Sequence, residues 1–170
     1  MREIDAETQE LLENRVLVAR DFLWIVPKDR VTGESQPVGF WSDVGDIEAE
    51  VLFPDTNEAE ERLFRGAGTV IQIDDIPLVS NITIQAVNIR MSQLHDAVQQ
   101  ALREYDMRQA RVEIYRGLFN PITRDMVAPA KSRFQGFVDF VNITTPSENE
   151  EGGATLTCKS HTQEMTRSNP

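Results

Sequence analysis

The chain has 170 residues, with 28 acidic and 17 basic side chains, a net charge of −11, one cysteine and two histidines. A domain of that length buries roughly 70% of its unfolded surface without a metal or disulfide, and one cysteine excludes an intramolecular disulfide. Its charge repels nucleic-acid phosphates, which argues against sequence-specific DNA or RNA binding. No apolar run approaches the ~20 residues of a membrane span.

The opening "MREIDAETQE" is too acidic for a signal peptide, so a soluble protein made in the cytoplasm is expected. Residues 3–14 carry Ile4, Leu11 and Leu12 among acids, with Asp5 placed to cap a short helix. "VARDFLWIVP" then switches to a strand ending at Pro27, and the polar "KDRVTGESQP" forms a hairpin loop. "VGFWS" and "IEAEVLF" are short strands separated by "DVGD". Pro54 ends the second, and "DTNEAEE" is an acidic connection, helical or looped.

"GTVIQID" and "NITIQAVNI" are rich in β-branched residues and predict two antiparallel strands around the turn "DDIPLVSN". "SQLHDAVQQALREY" is the one strong helix, about 92–105. Leu94, Val98, Ala101, Leu102 and Tyr105 form its apolar stripe, Ser92 its cap, and Asp96 complements its dipole. After "DMRQA" the pattern returns to strand in "RVEIYRGLF", where Val112 and Ile114 alternate with Glu113 and Tyr115. The loop "NPITRDMVAP" leads to "SRFQGFVDFVNI", with Phe134, Val138 and Phe140 on one face and Phe137, Val141 and Ile143 on the other. A strand apolar on both faces must be covered on both. "TPSENEEGG" is an acidic turn and "ATLTCKSHTQEM" the last strand. About nine strands against one good helix predict a mainly β fold: a β-sandwich or barrel with one flanking helix and a short N-terminal one.

The search for chemistry ends in surface rather than site. Cys158 and His161 are three apart in a strand and point to opposite faces, so they do not share an ion, whereas Leu156 and Cys158 share one face and suit a buried thiol. His95 falls off the helix stripe, no G-x-S-x-G elbow occurs, and "RGAGTV" leads into a strand instead of opening a helix. Glu58, Glu60 and Glu61, and likewise Glu148, Glu150 and Glu151, suit solvated turns and lack a calcium-loop spacing. The expectation is therefore no catalytic set, no cofactor and no metal. Trp24, Phe40 and Trp41 are core by default, but Phe40 and Trp41 point oppositely, leaving one for a neighbouring subunit. Trp41, Leu118 and Phe119, with Met165 and Arg167 of the closing segment, are the candidate interface residues.

Four stretches carry a resemblance: the opening helix running into "ARDFLWIV", then "VGFWSDVGDIEAEV", "VQQALREYDMRQARVEIYRGLF", and "FQGFVDF" with "TLTCKSHTQEMTRSNP". Together they resemble the amino-terminal domain of the tail-tip, or baseplate hub, proteins of long non-contractile-tailed bacteriophages and gene transfer agents. The resemblance covers nearly the whole chain and rests on packing signatures. It implies a tail-tube-like β domain over residues 1–166 with a hinge at 167–170. It further implies a structural ring in the virion tail tip, threefold as in that family or sixfold. The ring's partners would be other copies, a distal tail protein, a central fibre or tip protein and the tape measure, with DNA passing through unbound. Longer members continue into a further domain, some with a cysteine-ligated iron–sulfur cluster; the single Cys158 cannot supply one here. Two other readings stay open: a head–tail connector or tail-completion protein, and a cell-surface carbohydrate-binding or hydrolytic β-sandwich using an exposed aromatic such as Trp41.

Overall fold

The computed structural model describes residues 9, 12–13, 17–53, 56, 58–66, 71–76, 85–92, 96–144 and 152–160. Among the described residues, nine strands and one helix with defined bounds follow in chain order. They are β1 (Val18–Asp29), β2 (Val38–Trp41), β3 (Ile47–Leu52), β4 (Ala59–Gly66), β5 (Ile71–Ile73), β6 (Ala86–Ser92), α1 (Asp96–Glu104), β7 (Tyr105–Phe119), β8 (Lys131–Thr144) and β9 (Gly153–Ser160). All strands belong to one sheet, ordered β3-β4-β2-β1-β7-β8-β9-β6-β5. The mainly β fold with one helix is thus present. It is built from a single coiled sheet and not from two separate ones.

The long β1–β7 ladder is its axis, running from Val18↔Phe119 to Asp29↔Tyr105. Because strand side chains alternate, this pair feeds two cores. Leu23, Ile25, Val112 and Ile114 enter a larger cluster with Val87, Ile89, Val138, Leu156 and Cys158. Phe22, Tyr115 and Phe119 enter a smaller one with Trp41, Val51, Phe64 and Ala130. Helix α1 covers the larger cluster through Val98, Ala101 and Leu102, as its stripe predicts. The smaller one is enclosed by the β3–β4 hairpin, which curls round until Leu52 N–H donates to Ala130 O (3.0 Å) and Ala130 N–H to Glu50 O (2.8 Å). That single bridge closes a small barrel from β3, β4, β2, β1, β7 and the approach to β8.

Several boundaries differ from the sequence reading, each for a local reason. β4 occupies part of the acidic stretch assigned to a helix or loop. Its exposed Leu63 and its two glutamates, Glu60 and Glu61, break the apolar alternation, and only Arg62 and Phe64 turn inward. β1 runs past Pro27, where the register jumps from Val26↔Arg111 to Lys28↔Asp106. Proline has no N–H for the ladder, and β7 bulges opposite it, with Gln109 at φ 58°. β7 accordingly begins at Tyr105. Ser92 ends β6 and pairs with Gly153; α1 is described from Asp96, and the expected first turn at 93–95 lies outside the described residues. Of the expected N-terminal helix only residues 9, 12 and 13 are described, and they are helical. Leu94, His95, His161 and the acidic turn at 148–151 lie outside the described residues.

The faces of β8 also need correction. Its register shifts between Val138↔Cys158 and Phe140↔Thr157, leaving Asp139 as an extra residue. A bulge of one residue reverses the alternation. Val141 therefore joins Phe134 and Val138 at the larger core, whereas Phe140 turns outward and is 59% exposed. The strand is not covered on both faces along its whole length. Truncating fully buried Leu156 to Ala is expected to cost about 2–5 kcal/mol, and Phe140→Ser less than about 0.5 kcal/mol. Urea unfolding of the two variants checks the contrast.

Candidate functional site

The most distinctive chemistry lies inside the small barrel. Glu113 on β7 is buried with a 2% exposed side chain, and Arg62 on β4 with 7%. Arg62 Nη1 donates to Glu113 Oε2 at 2.6 Å, and Tyr115 Oη donates to the same oxygen at 2.5 Å. Glu113 Oε1 meets Arg111 Nη2 at 2.6 Å. Arg62 Nε and Nη2 both donate to Glu60 Oε2, at 2.9 and 2.7 Å. Each step follows from strand periodicity: Glu113 and Tyr115 are two apart on β7, Glu60 and Arg62 two apart on β4, so each pair shares a face.

Aromatic rings complete the enclosure. The Arg62 guanidinium carbon lies 4.7 Å from the Trp24 ring centroid and 5.5 Å from that of Phe53, and Arg111 lies 5.4 Å from Phe53. Below them Phe22 stacks on Trp41 at 5.7 Å and meets Phe64 edge-on at 4.8 Å. Cation–π contact and charge-assisted hydrogen bonds together offset the desolvation of the guanidinium. Burial disfavours the Arg62 charge, but its bonds to Glu113 and Glu60 outweigh it and raise the pKa above the ordinary arginine value. Burial, with the Glu113 carboxylate adding to it, pushes the Tyr115 phenol well above its usual range.

In this cluster each carboxylate oxygen of Glu113 is matched to a guanidinium or hydroxyl donor. What it can do is hold β4 against β7. The sequence pattern set Glu113 and Tyr115 on the face opposite Val112 and Ile114 and did not single out Arg62. The spacing Glu113-x-Tyr115 was the available signal, since on a strand it sets a carboxylate and a phenol side by side on one face.

A second concavity, a cleft of about 200 Å³, opens at the edge of the larger core between the end of β5 and the β1–β7 pair. Ile73 and Ile114 line it with Asp21, Asp74, Asp75 and Arg116. Its charges largely meet one another: Arg116 Nε and Nη2 donate to Asp21 at 2.8 and 3.2 Å, and Asn88 Nδ2 donates to Asp74 at 3.0 Å.

The expected interface residues fare differently. Trp41 is only 7% exposed and Phe119 only 6%, both inside the smaller core, so neither offers a surface to a neighbour. Phe40 and Trp41 do point oppositely, but each enters one of the two cores and neither is left over. Trp41 is also tied inward, its Nε1–H donating to Gly45 O at 2.6 Å. Leu118 is half-buried, and Met165 and Arg167 lie outside the described residues. Among the described residues the large exposed apolar side chains are instead Val31, Val44, Leu63, Ile122, Phe140 and Ile143, with Leu12 in the opening segment. Cys158 is fully buried beside Val87 and Val138, as its shared face with Leu156 predicts. Among the described residues no group of three His, Cys, Asp or Glu could hold a metal, and no helix is long and apolar enough to cross a membrane. No protein-family model matches the chain, and no curated protein matches it.

Glu113→Gln leaves two guanidinium groups facing a neutral amide, and a loss of about 3–5 kcal/mol is expected. Joint replacement by Arg62→Met, Glu113→Leu and Tyr115→Phe removes charges and partners together and should cost less, as measured by chemical denaturation. Burial pushes the Cys158 thiol up to about 12 from 9.0. A raised folded-state pKa gives stability that is complete below pH 9 and is lost as pH climbs towards 12. The Tm of Cys158→Ala should therefore fall less steeply than wild type over that alkaline window.

Proposed function

We propose that the chain is a structural, ring-forming subunit of a bacteriophage tail tip, a hub-like domain that adapts the tail tube to the central fibre. The supporting observation is the architecture: one coiled, mainly β sheet with a single flanking helix, whose terminal strand β3 leaves part of its outer edge unpaired among the described residues. Glu50 O and Leu52 N–H face Ala130, so alternation puts the N–H and C=O of Glu48 on that same outer edge. There, among the described residues, no backbone group meets them. A free edge invites another strand, and repeated rotation of one contact closes a ring. The strong net acidity suits a wall past which DNA moves without sticking.

On this reading the subunit contacts fall to the β3 edge and the exposed tips Val44 and Ile122, in place of Trp41 and Phe119. A carbohydrate-binding role would need an exposed aromatic platform, and Trp41 does not provide one. Sedimentation and native mass spectrometry of the purified chain should find a trimer or hexamer, or co-assembly with neighbouring tail proteins. Glu48→Pro, which removes an edge donor, should reduce assembly while the monomer keeps its circular dichroism. A monomer that never associates with tail proteins would sink the proposal. Immunogold label at the neck would move the protein to the head–tail connector.

A further inference from the structure

The β3–β4 hairpin is attached to the rest of the sheet unevenly. At its root, β2 and β4 share only two register positions, Phe40↔Arg65 and Trp41↔Gly66. Within itself the hairpin is a continuous ladder from Ile47↔Phe64 to Leu52↔Ala59. Towards its tip the only backbone ties among the described residues are the two hydrogen bonds to Ala130. The remaining attachment is by side chains: Arg62 to Glu113 and Tyr115, Phe53 packed over Arg62 and Arg111, and Ala49, Val51 and Phe64 buried in the smaller core.

The root has the form of a pivot. Gly66 lies so close to Gly45 that a Cβ there would overlap the Gly45 backbone oxygen and nitrogen, and Gly45 itself has φ +80°. Two glycines therefore cross back to back where the hairpin leaves the barrel, one in a conformation that L side chains rarely adopt. The crossing is braced, with Gly66 N–H donating to Asp46 Oδ1 at 3.3 Å and Trp41 Nε1–H to Gly45 O. A rigid two-stranded arm, a two-glycine root and a charged fastening at the far end are arranged along one element.

We propose that the β3–β4 hairpin opens as a unit about the Gly45–Gly66 crossing, and that the Arg62–Glu113 pair is the latch that keeps it shut. The proposal is independent of the tail-tip reading. Opening parts β4 from β7, lifts Phe64 from Phe22 and Trp24, and uncovers the aromatic floor of the small barrel. The larger core and α1 do not take part, because none of their residues belongs to the hairpin. Regions that open below the global unfolding barrier are those with few ties to the remainder of the fold, and the described backbone ties of β3 and β4 to the rest of the sheet are the two β2 register positions and the two bonds to Ala130.

Residue-resolved hydrogen exchange on the full chain tests this. In wild type, ladder amides of β3 and β4 should exchange at least about tenfold faster than those of β9 around Leu156. In Glu113→Gln that ratio should widen about tenfold further. A Val51→Cys, Ala130→Cys pair joins the two partners of the closing bridge; its oxidised form should slow hairpin exchange selectively, and reduction should restore it. Equal exchange across the sheet in wild type overturns the proposal, as does uniform acceleration in Glu113→Gln. If Glu113→Gln does not fold, the staple decides: hairpin exchange unchanged between its oxidised and reduced forms also overturns it.

Discussion

Everything in this molecule depends on one ladder that is buried on both faces. β1 and β7 run antiparallel along most of their length, and their alternating side chains supply two separate cores. An antiparallel pair usually keeps one face for water; the central part of this one is buried on both. Phe22 and Leu23 are adjacent in sequence and both fully buried, on opposite sides. The rest of the chain must then provide two covers. Helix α1 with β6, β8 and β9 supplies one, and the β3–β4 hairpin the other.

The covers differ in kind. The larger is aliphatic, joined to the axis by the ladders β7–β8, β8–β9 and β9–β6. The smaller mixes aromatic packing with a buried ion pair and has little backbone continuity with what it covers. A buried guanidinium and carboxylate contribute little net stability compared with well-packed apolar groups, but separating them is costly. Such a pair specifies how two surfaces meet: Arg62 must find Glu113, and the hairpin has one register in which it does. In the same pocket Tyr115 offers its hydroxyl to Glu113, so both carboxylate oxygens are satisfied.

At the surface the apolar tips are held in place from within. Val44 and Ile122 are well exposed, but the loops carrying them are pinned: Asp43 receives Arg20 at 2.7 Å and the Val44 N–H at 2.8 Å, and Asn120 Oδ1 accepts the Ile122 N–H at 2.9 Å. Ordered tips of this sort lose little freedom when they bind. Elsewhere on the surface, Glu50 and Glu61 stand directly opposite each other across β3 and β4. Like charges so placed repel. This surface is consistent with the assembly role proposed above and does nothing for the isolated fold.

Local pattern in the sequence was sufficient for the β class, the single helix with its Val98, Ala101 and Leu102 stripe, and the burial of Cys158, because each depends on a period of two or 3.6 residues carried by neighbours in the chain. It failed wherever long-range pairing resets that period. The Asp139 bulge turned Phe140 outward, and the bulge opposite Pro27 lengthened β7. The acidic face of β4 hid a strand whose inner side carries Arg62 and Phe64. Trp41 and Phe119 looked available for a partner because nothing local indicates that a hairpin will close over them. Only the tertiary structure brought Arg62 to Glu113, fifty-one positions later, since a buried charge finds its counter-ion through the curvature of the sheet and not through spacing along the chain.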